Sequence, residues 1–483
     1  MTIQFGTDGW RAVIAETFTF ENLRLLAQGI ADAAAAPDWG DGAGQTDFDP
    51  RLMVVGFDTR FLSDRFATEV ARVLAANGLT VLLTHADAPT PAVSFAVRHH
   101  RAAGGVMITA SHNAPRYNGV KLKAAFGGSA LNEQCRRVEV YLADNEARAR
   151  GPNLMDYDKA VSAGLIKRFN PMPAYYDHLR TLVNFDVIAG NPQRLVVDSM
   201  YGSGRGAIKG ILQGTGSEVF EIRGEMNPGF GGVHPEPIAK YLGATVGAIA
   251  AGHGAFAVIT DGDADRTGAM DGRGQFVDPH RIMALTLQYL VEKRGWTGAA
   301  VKTVSTTRMI NRLAARYDLP CYETPVGFNH IADHMLAQTV LIGGEESGGI
   351  SIKGHIPEGD GVLFGLLLLE MVAASGATLE EMVGDLLRAV GPAHYARKDL
   401  RLARPISKKD MVRRLTENAP GQIGGLTVVK VESLDGVKYV LDDDSWLLIR
   451  PSGTEPVLRV YAEARDEAAV AALLGYGQTV AAG

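Results

Sequence analysis

The chain has 483 residues, of which 46% are hydrophobic and 21% charged, with a formal net charge of −6. At roughly 100–200 residues per domain this predicts three or four globular domains. Without a long basic run, the composition excludes nucleic acid and an anionic membrane surface as the main partner, so any anion site must be local.

In chain order, the N-terminal MTIQFGTDGWR has no apolar core of a secretory signal. Thr19 is expected to cap a helix whose apolar positions Leu23, Leu26, Ile30 and Ala33 follow helical spacing. Residues 39–49, rich in Gly and Asp, read as a loop. A buried strand at 52–57 leads to a helix that Ser63 opens and Asn77-Gly78 stops. A strand at 80–83, a helix at 91–101 and a strand at 105–108 follow, the last running into Thr109-Ala110-Ser111-His112-Asn113. The unit recurs as a strand at 195–197, the loop DSMYGSGRG, a helix over 238–251 and a strand at 255–259 that delivers Asp261-Gly262-Asp263. Strands at 300–304 and 340–342 come next, the second delivering GGEESGG. The apolar run 362–369, continued by 371–374, is interrupted by Gly365 and Glu370. It is too short to span a bilayer and reads as a buried core helix, so no membrane is expected as partner.

VMITASHN, AVITDGDADR and VLIGGEESGG thus share one design, an apolar strand ending in a polar, glycine-containing loop. Ligands of α/β sheets bind beyond the carboxyl ends of strands, so three such loops predict one shared cleft. From residue 393 the pattern changes to a strand-like alternation at 395–402, a helix at 408–417, and strands at 426–431, 437–441, 446–450 and 457–464. Asp435-Gly436 is a hairpin signal, and an Ala-rich helix ends the chain. The expected fold is α/β: three tandem mixed-sheet domains at 1–155, 156–272 and 273–392, then an α+β domain at 393–483, around a central cleft. Cys135 and Cys321 stand far apart in sequence. They suggest no metal or disulfide framework and are expected reduced, as in a cytoplasmic protein.

Asp261, Asp263 and Asp265 place three carboxylates at alternate positions. So crowded, they repel one another unless a cation such as Mg²⁺ intervenes, although a solvated acidic turn has the same pattern. A twelve-residue calcium loop is a poorer alternative, because Arg266 and Gly272 stand where Gly and Glu are required. Ser111 lacks the flanking glycines of a hydrolase elbow. It could carry a phosphoryl group beside a cation, or be a turn residue. Lys121 could steady a phosphate or move a proton, but taken alone it and Lys123 read as surface lysines. Arg450, Ser452, Gly453 and Thr454 offer a guanidinium fork, hydroxyls and turn amides to an anion, and Arg459 adds charge on the next strand. Glu345, Glu346 and Ser347 suit sugar hydroxyls. Arg11 closes an early loop that could equally be a buried N-terminal tie.

FGTDGWR, TASHN, DGDADR, GEESGG and RPSGTEP, in this order, resemble the motifs of the α-D-phosphohexomutase superfamily along essentially the whole chain. The resemblance implies that Ser111 is a phosphoserine and that Asp261, Asp263 and Asp265 hold one Mg²⁺ ion with it. It places Arg11 and Arg266 on the catalytic phosphate, and Lys121 and His112 in the proton-transfer neighbourhood. Glu345 and Ser347 would hold sugar hydroxyls, and Arg450, Ser452, Gly453 and Thr454 the phosphate that does not react. The implied reaction interconverts hexose 1- and 6-phosphates through a bisphosphate that turns end for end. A sugar bisphosphate would be the activator, the C-terminal domain a lid, and the enzyme a monomer or homodimer. Three positions depart from the pattern: Ala114 replaces a proline, Gly349 a histidine of mannose-accepting members, and Asn329 a frequent lysine. The loop Glu345–Gly349 resembles glucose-type members more than glucosamine mutases, so glucose 1-phosphate is expected first and mannose 1-phosphate second. A metal-dependent phosphatase or kinase is the rival enzyme, although no Gly-rich nucleotide loop with Lys-Ser/Thr is present. A non-catalytic sugar-phosphate binder is the other rival.

Overall fold

The computed structural model describes residues 3–5, 9–36, 39, 47–401, 407–451 and 457–482. Ser452, Gly453 and Thr454 of the expected phosphate clamp, residues 6–8 of FGTDGWR and most of the 39–49 loop lie outside the described residues.

Three mixed sheets follow one another, and an antiparallel sheet ends the chain. In the first, the parallel strands Asp49–Phe57, Thr80–Thr84, Ala102–Ile108 and Ile166–Phe169 are joined by the antiparallel Tyr117–Ala124 and Trp10–Val13. Ile166–Phe169 pairs with Thr80–Thr84, so this sheet extends past residue 155. The second sheet sets Arg194–Asp198 between parallel Glu218–Ile222 and Phe256–Thr260, and the third sets Ala299–Thr303 between parallel Cys321–Thr324 and Val340–Gly344. In each sheet one buried parallel strand ends in a loop and returns antiparallel: Ala102–Ile108 to Tyr117–Ala124, Phe256–Thr260 to Thr267–Met270, and Val340–Gly344 to Ile350–Ile352. The outgoing strands are buried end to end, as expected where helices cover both faces of a sheet. The polar motifs occupy these three connections, as their shared pattern predicted.

Most elements fall where the sequence put them. Thr19 caps Phe20–Ala34, accepting from Asn22 N at 3.2 Å, and Leu23, Leu26, Ile30 and Ala33 are buried. The single helix expected over 238–251 is instead a 3₁₀ turn, Ala239–Tyr241, and an α-helix, Gly243–Ala250. Pro235 and Pro237 delay entry into helix, and Gly243 and Gly247 weaken its propagation. Lys121 and Lys123 are not on the surface. Both are buried on Tyr117–Ala124, a strand wrapped on both faces, where each meets a carboxylate.

Gly361–Ser375 is apolar on nearly every side and almost wholly buried. No single helix among the described residues is long and apolar enough to cross a membrane. Although it follows the third sheet in sequence, this helix covers Phe256–Thr260 and Thr267–Met270 of the second. Gly365 permits that approach, because a Cβ there would meet Val258 Cγ1 at 2.6 Å. Asp360 caps the helix through Leu363 N and accepts from Tyr175 Oη, and the neighbouring Glu358 accepts from Lys123 Nζ and Ser94 Oγ. One short segment therefore ties all three α/β units together.

The C-terminal sheet runs His394–Arg401, Val457–Ala464, Trp446–Pro451, Val437–Leu441, Leu426–Glu432, Gln422–Ile423, all antiparallel. One face packs on the helices Lys408–Glu417 and Glu467–Ala482; the other turns toward the third unit.

Candidate active site

The loop after Ala102–Ile108 puts Ser111 in the left-handed region, at φ +50. Its Oγ donates to Asp261 Oδ2 at 3.0 Å across the gap between the first two units and lies 3.4 Å from His112 Nδ1. Asp261, Asp263 and Asp265 are all buried, and one oxygen from each lies within 4.8 Å of the others. The turn that gathers them uses a left-handed Ala264, at φ +59. The two loops touch closely: a Cβ on Gly262 would sit 2.4 Å from the Ser111 carbonyl oxygen.

Lys121 Nζ lies 2.6 Å from Asp265 Oδ2 and 3.0 Å from Asp263 Oδ2, which also accepts from Thr90 Oγ at 2.7 Å. Burial, then the facing Asp265 and Asp263, push the Asp261 carboxyl well above its usual range. For Asp263 the burial cost is outweighed by Lys121 and Thr90, and the carboxyl is held below that range. His112 is driven well below the ordinary imidazole value by burial, then by Arg266, Arg11 and Lys121. Asp263 Oδ1 is buried and accepts no hydrogen bond among the described residues. A trio of hard oxygen donors, one of them without a donor partner, fits a divalent cation.

Around this centre, Arg11 Nη1 donates to Asn113 Oδ1 at 2.8 Å, and Arg266 donates its backbone N–H to Asp261 Oδ1 at 3.2 Å. The third loop closes against the second, Thr267 N donating to Gly348 O at 3.1 Å. Glu345 Oε1 accepts from Gly327 N at 2.9 Å, and Ser347 is half-buried in the same loop. Asn329, at the start of Phe328–Ala337, is buried.

Arg450 reaches this cluster indirectly. Its Nε donates to Asp435 Oδ2 at 2.6 Å, which also accepts from Val326 N at 3.1 Å, one residue before the Gly327 amide held by Glu345. Arg459 faces Arg450 across the ladder and comes within 4.0 Å of Asp399. Glu346 turns toward the C-terminal sheet, accepting from Ser305 Oγ at 2.8 Å with Arg397 3.7 Å away.

Sequence reasoning missed several polar groups packed under the loops. Asp58 and Arg60 are wholly buried at the end of Asp49–Phe57, with Arg60 Nε 3.1 Å from Asp58 Oδ2. Burial pushes Asp58 up to about 6 against the pull of Arg60, and burial also lowers Arg60. GFDTR has the same strand-then-polar-loop form as the three recognised motifs, and that form was the available signal. Thr90 and Glu358 carried no such signal.

Four family models cover the chain in order: the α/β/α domains I, II and III of phosphoglucomutase/phosphomannomutase match residues 2–149, 173–274 and 278–390, and the C-terminal domain 401–475. A phosphoglucosamine mutase of Frankia alni is 31% identical, over 97% of this chain and 95% of its own. A phosphoglucomutase of Komagataeibacter xylinus is 30% identical, over 97% and 88%. A crystal structure from Thermus thermophilus, assigned as a phosphomannomutase, superposes with a TM-score of 0.85 at 37% identity, covering all of both chains.

Proposed function

The chain belongs to the α-D-phosphohexomutase superfamily and is an intramolecular phosphotransferase, and from that premise we propose that it interconverts hexose 1-phosphate and hexose 6-phosphate with glucose as the first substrate. The observation that carries the reading is the 3.0 Å contact of Ser111 Oγ with Asp261, one of a buried trio of aspartates. A hydroxyl is seldom buried against three carboxylates for stability alone, since the carboxylates repel and lose their hydration. For an acceptor of a charged group, the same crowding prepares a polar, water-poor site.

In this reading Ser111 carries the phosphoryl group and gives it to the free hydroxyl of the bound monophosphate. The bisphosphate turns end for end, and Ser111 takes back the other phosphoryl group. Asp261, Asp263 and Asp265 would hold one Mg²⁺ ion, which when bound neutralises charge on the transferring group. Arg11 and Arg266 steady that group's oxygens. Lys121 and His112 stand in the proton-transfer neighbourhood, where the lowered imidazole is a neutral acceptor rather than a cation. Glu345 and Ser347 hold sugar hydroxyls in either orientation. Arg450 and Arg459, with Ser452, Gly453 and Thr454, hold the phosphate at rest. A division into four units, the first carried past residue 155 through the strand Ile166–Phe169 and the later boundaries near 272 and 392, a cytoplasmic site of action and a bisphosphate activator belong to the same proposal.

Glucose is placed first because the loop Glu345–Gly349 carries no histidine at Gly349. Relatives bear phosphoglucomutase, phosphomannomutase and phosphoglucosamine mutase names, so mannose and glucosamine phosphates are the alternatives to test. The test is a coupled isomerisation assay with glucose, mannose and glucosamine 1-phosphates, Mg²⁺ and a trace of glucose 1,6-bisphosphate. The highest kcat/KM is expected with glucose 1-phosphate. Release of inorganic phosphate without isomerisation of any of the three would overturn the mutase reading.

A further inference from the structure

Ser111 sits in a backbone conformation that side chains rarely adopt, so something must hold it there. Two bonds grip its own peptide units. Its N–H donates to Thr109 Oγ at 2.8 Å, and its carbonyl accepts from Arg60 Nη2 at 2.5 Å. Both grips lead to one pair, Asp58 and Arg60, just past the end of the neighbouring strand Asp49–Phe57. Thr109 Oγ donates in turn to Asp58 Oδ2 at 2.6 Å, and Asp58 Oδ1 accepts from Ser63 Oγ at 2.8 Å and Arg60 N at 2.9 Å. The Arg60 guanidinium also donates to the carbonyls of Asn113, Ala114 and Tyr117, at 2.6, 2.9 and 3.0 Å. One cation thus binds four carbonyls of a single loop. The Phe230 ring of the second unit lies 4.9 Å from the guanidinium carbon.

We propose that Asp58, Arg60 and Thr109 are positioning residues whose role is to hold the Ser111 hydroxyl in line for phosphoryl transfer. None of the three contacts the Ser111 hydroxyl among the interactions above: every grip is on backbone. An anchor on the peptide units at 111 fixes where Oγ points while leaving Oγ free to be phosphorylated. A guanidinium suits the task because its planar fork serves several acceptors and stays charged when buried. A lysine ammonium could not span four carbonyls set around the loop. The inference rests on the reading of Ser111 as carrier.

The test uses the full-length enzyme with Mg²⁺, glucose 1-phosphate and glucose 1,6-bisphosphate, and compares Thr109→Val, Thr109→Ser, Arg60→Lys and Ser111→Ala. Three readouts are taken: melting temperature, kcat and KM, and the rate at which Ser111 gains a phosphoryl group from the bisphosphate, followed by intact mass. Misplacing a reacting group by about 1 Å costs on the order of 100-fold. Thr109→Val, which keeps shape but loses the hydroxyl, is therefore expected to slow both kcat and Ser111 phosphorylation by about 10- to 100-fold. KM should stay within about threefold, and Thr109→Ser should restore the rate. Arg60→Lys should lose about 100-fold in kcat; if it does not fold, the Thr109 pair decides. Thr109→Val that phosphorylates and turns over within about threefold of the parent, or loses kcat/KM through KM alone, overturns the inference. Turnover surviving in Ser111→Ala would instead overturn the carrier reading beneath it.

Discussion

At the scale of single residues, the site is built from groups whose burial makes sense only together. Ser111, Asp261, Asp263, Asp265 and Lys121 are each buried, and each meets another of the set. Ser111→Ala is expected to lower kcat by at least about a thousandfold while the melting temperature stays close to the parent's. A steady-state assay beside a thermal melt checks both. Asp263→Asn removes one of the two charges that balance Lys121 and replaces a charged donor to the proposed ion with a neutral amide. Activity and the response to added Mg²⁺ should fall together, as a metal titration of the rate would reveal. Gly262→Ala tests the contact of the first two loops, because its Cβ would meet the Ser111 carbonyl oxygen at 2.4 Å. The expected result is a folded protein with most of its activity gone. Unchanged turnover would mean that the loops can separate without consequence.

At the scale of elements, the recurring unit is an outgoing parallel strand, a polar turn and an antiparallel return. The turns contain Ser111, Ala264 and Gly348, all at positive φ, so each chain reversal is sharp. The helix Gly361–Ser375 ties the third unit to the second by packing on that unit's sheet. Its one charged residue in mid-run, Glu370, is buried. It pairs with Arg294 and accepts from Tyr289 Oη at 2.7 Å and Asn184 N at 2.8 Å. Glu370→Ala would leave the half-buried Arg294 without its carboxylate, at a cost of about 3 kcal/mol. Chemical denaturation monitored by circular dichroism measures that loss directly.

At the scale of the whole molecule, the fourth unit meets the third through charges as well as through the apolar cluster of Val304, Trp446, Leu448 and Tyr461. Glu323 lies 3.0 Å from Lys302 Nζ and 3.2 Å from Lys438 Nζ, Arg312 Nε donates to Asp444 at 3.0 Å, and Arg308 N donates to Glu463 at 2.9 Å. Such a seam suits a domain that closes as a lid, and X-ray scattering should show the radius of gyration falling when glucose 1,6-bisphosphate and Mg²⁺ are added. The seam is also acid-sensitive. Burial alone would raise the Glu323 carboxyl, but Lys302 and Lys438 outweigh it and hold it down at about 2, against 4.5 ordinarily. A depressed carboxylate contributes stability above its unfolded value, and that contribution disappears as pH falls from about 4.5 toward 2. Urea unfolding across that window should lose on the order of 2 kcal/mol from this group, and Glu323→Gln should flatten the dependence.

The sequence alone determined where the polar loops fall and the four-part fold, because both rest on local signals. Apolar strand cores, caps such as Thr19 and closely spaced carboxylates act within a few residues of one another. What it misread depended on partners far along the chain. Lys121 and Lys123 look solvated until Asp263, Asp265 and Glu358 close over them. Asp58 and Arg60 follow a strand as the three motifs do, but nothing near them in sequence shows that they hold the peptide of Ser111. Long-range burial changes the cost of a charge more than any local propensity does, so the tertiary structure alone decided which polar residues became the framework of the site.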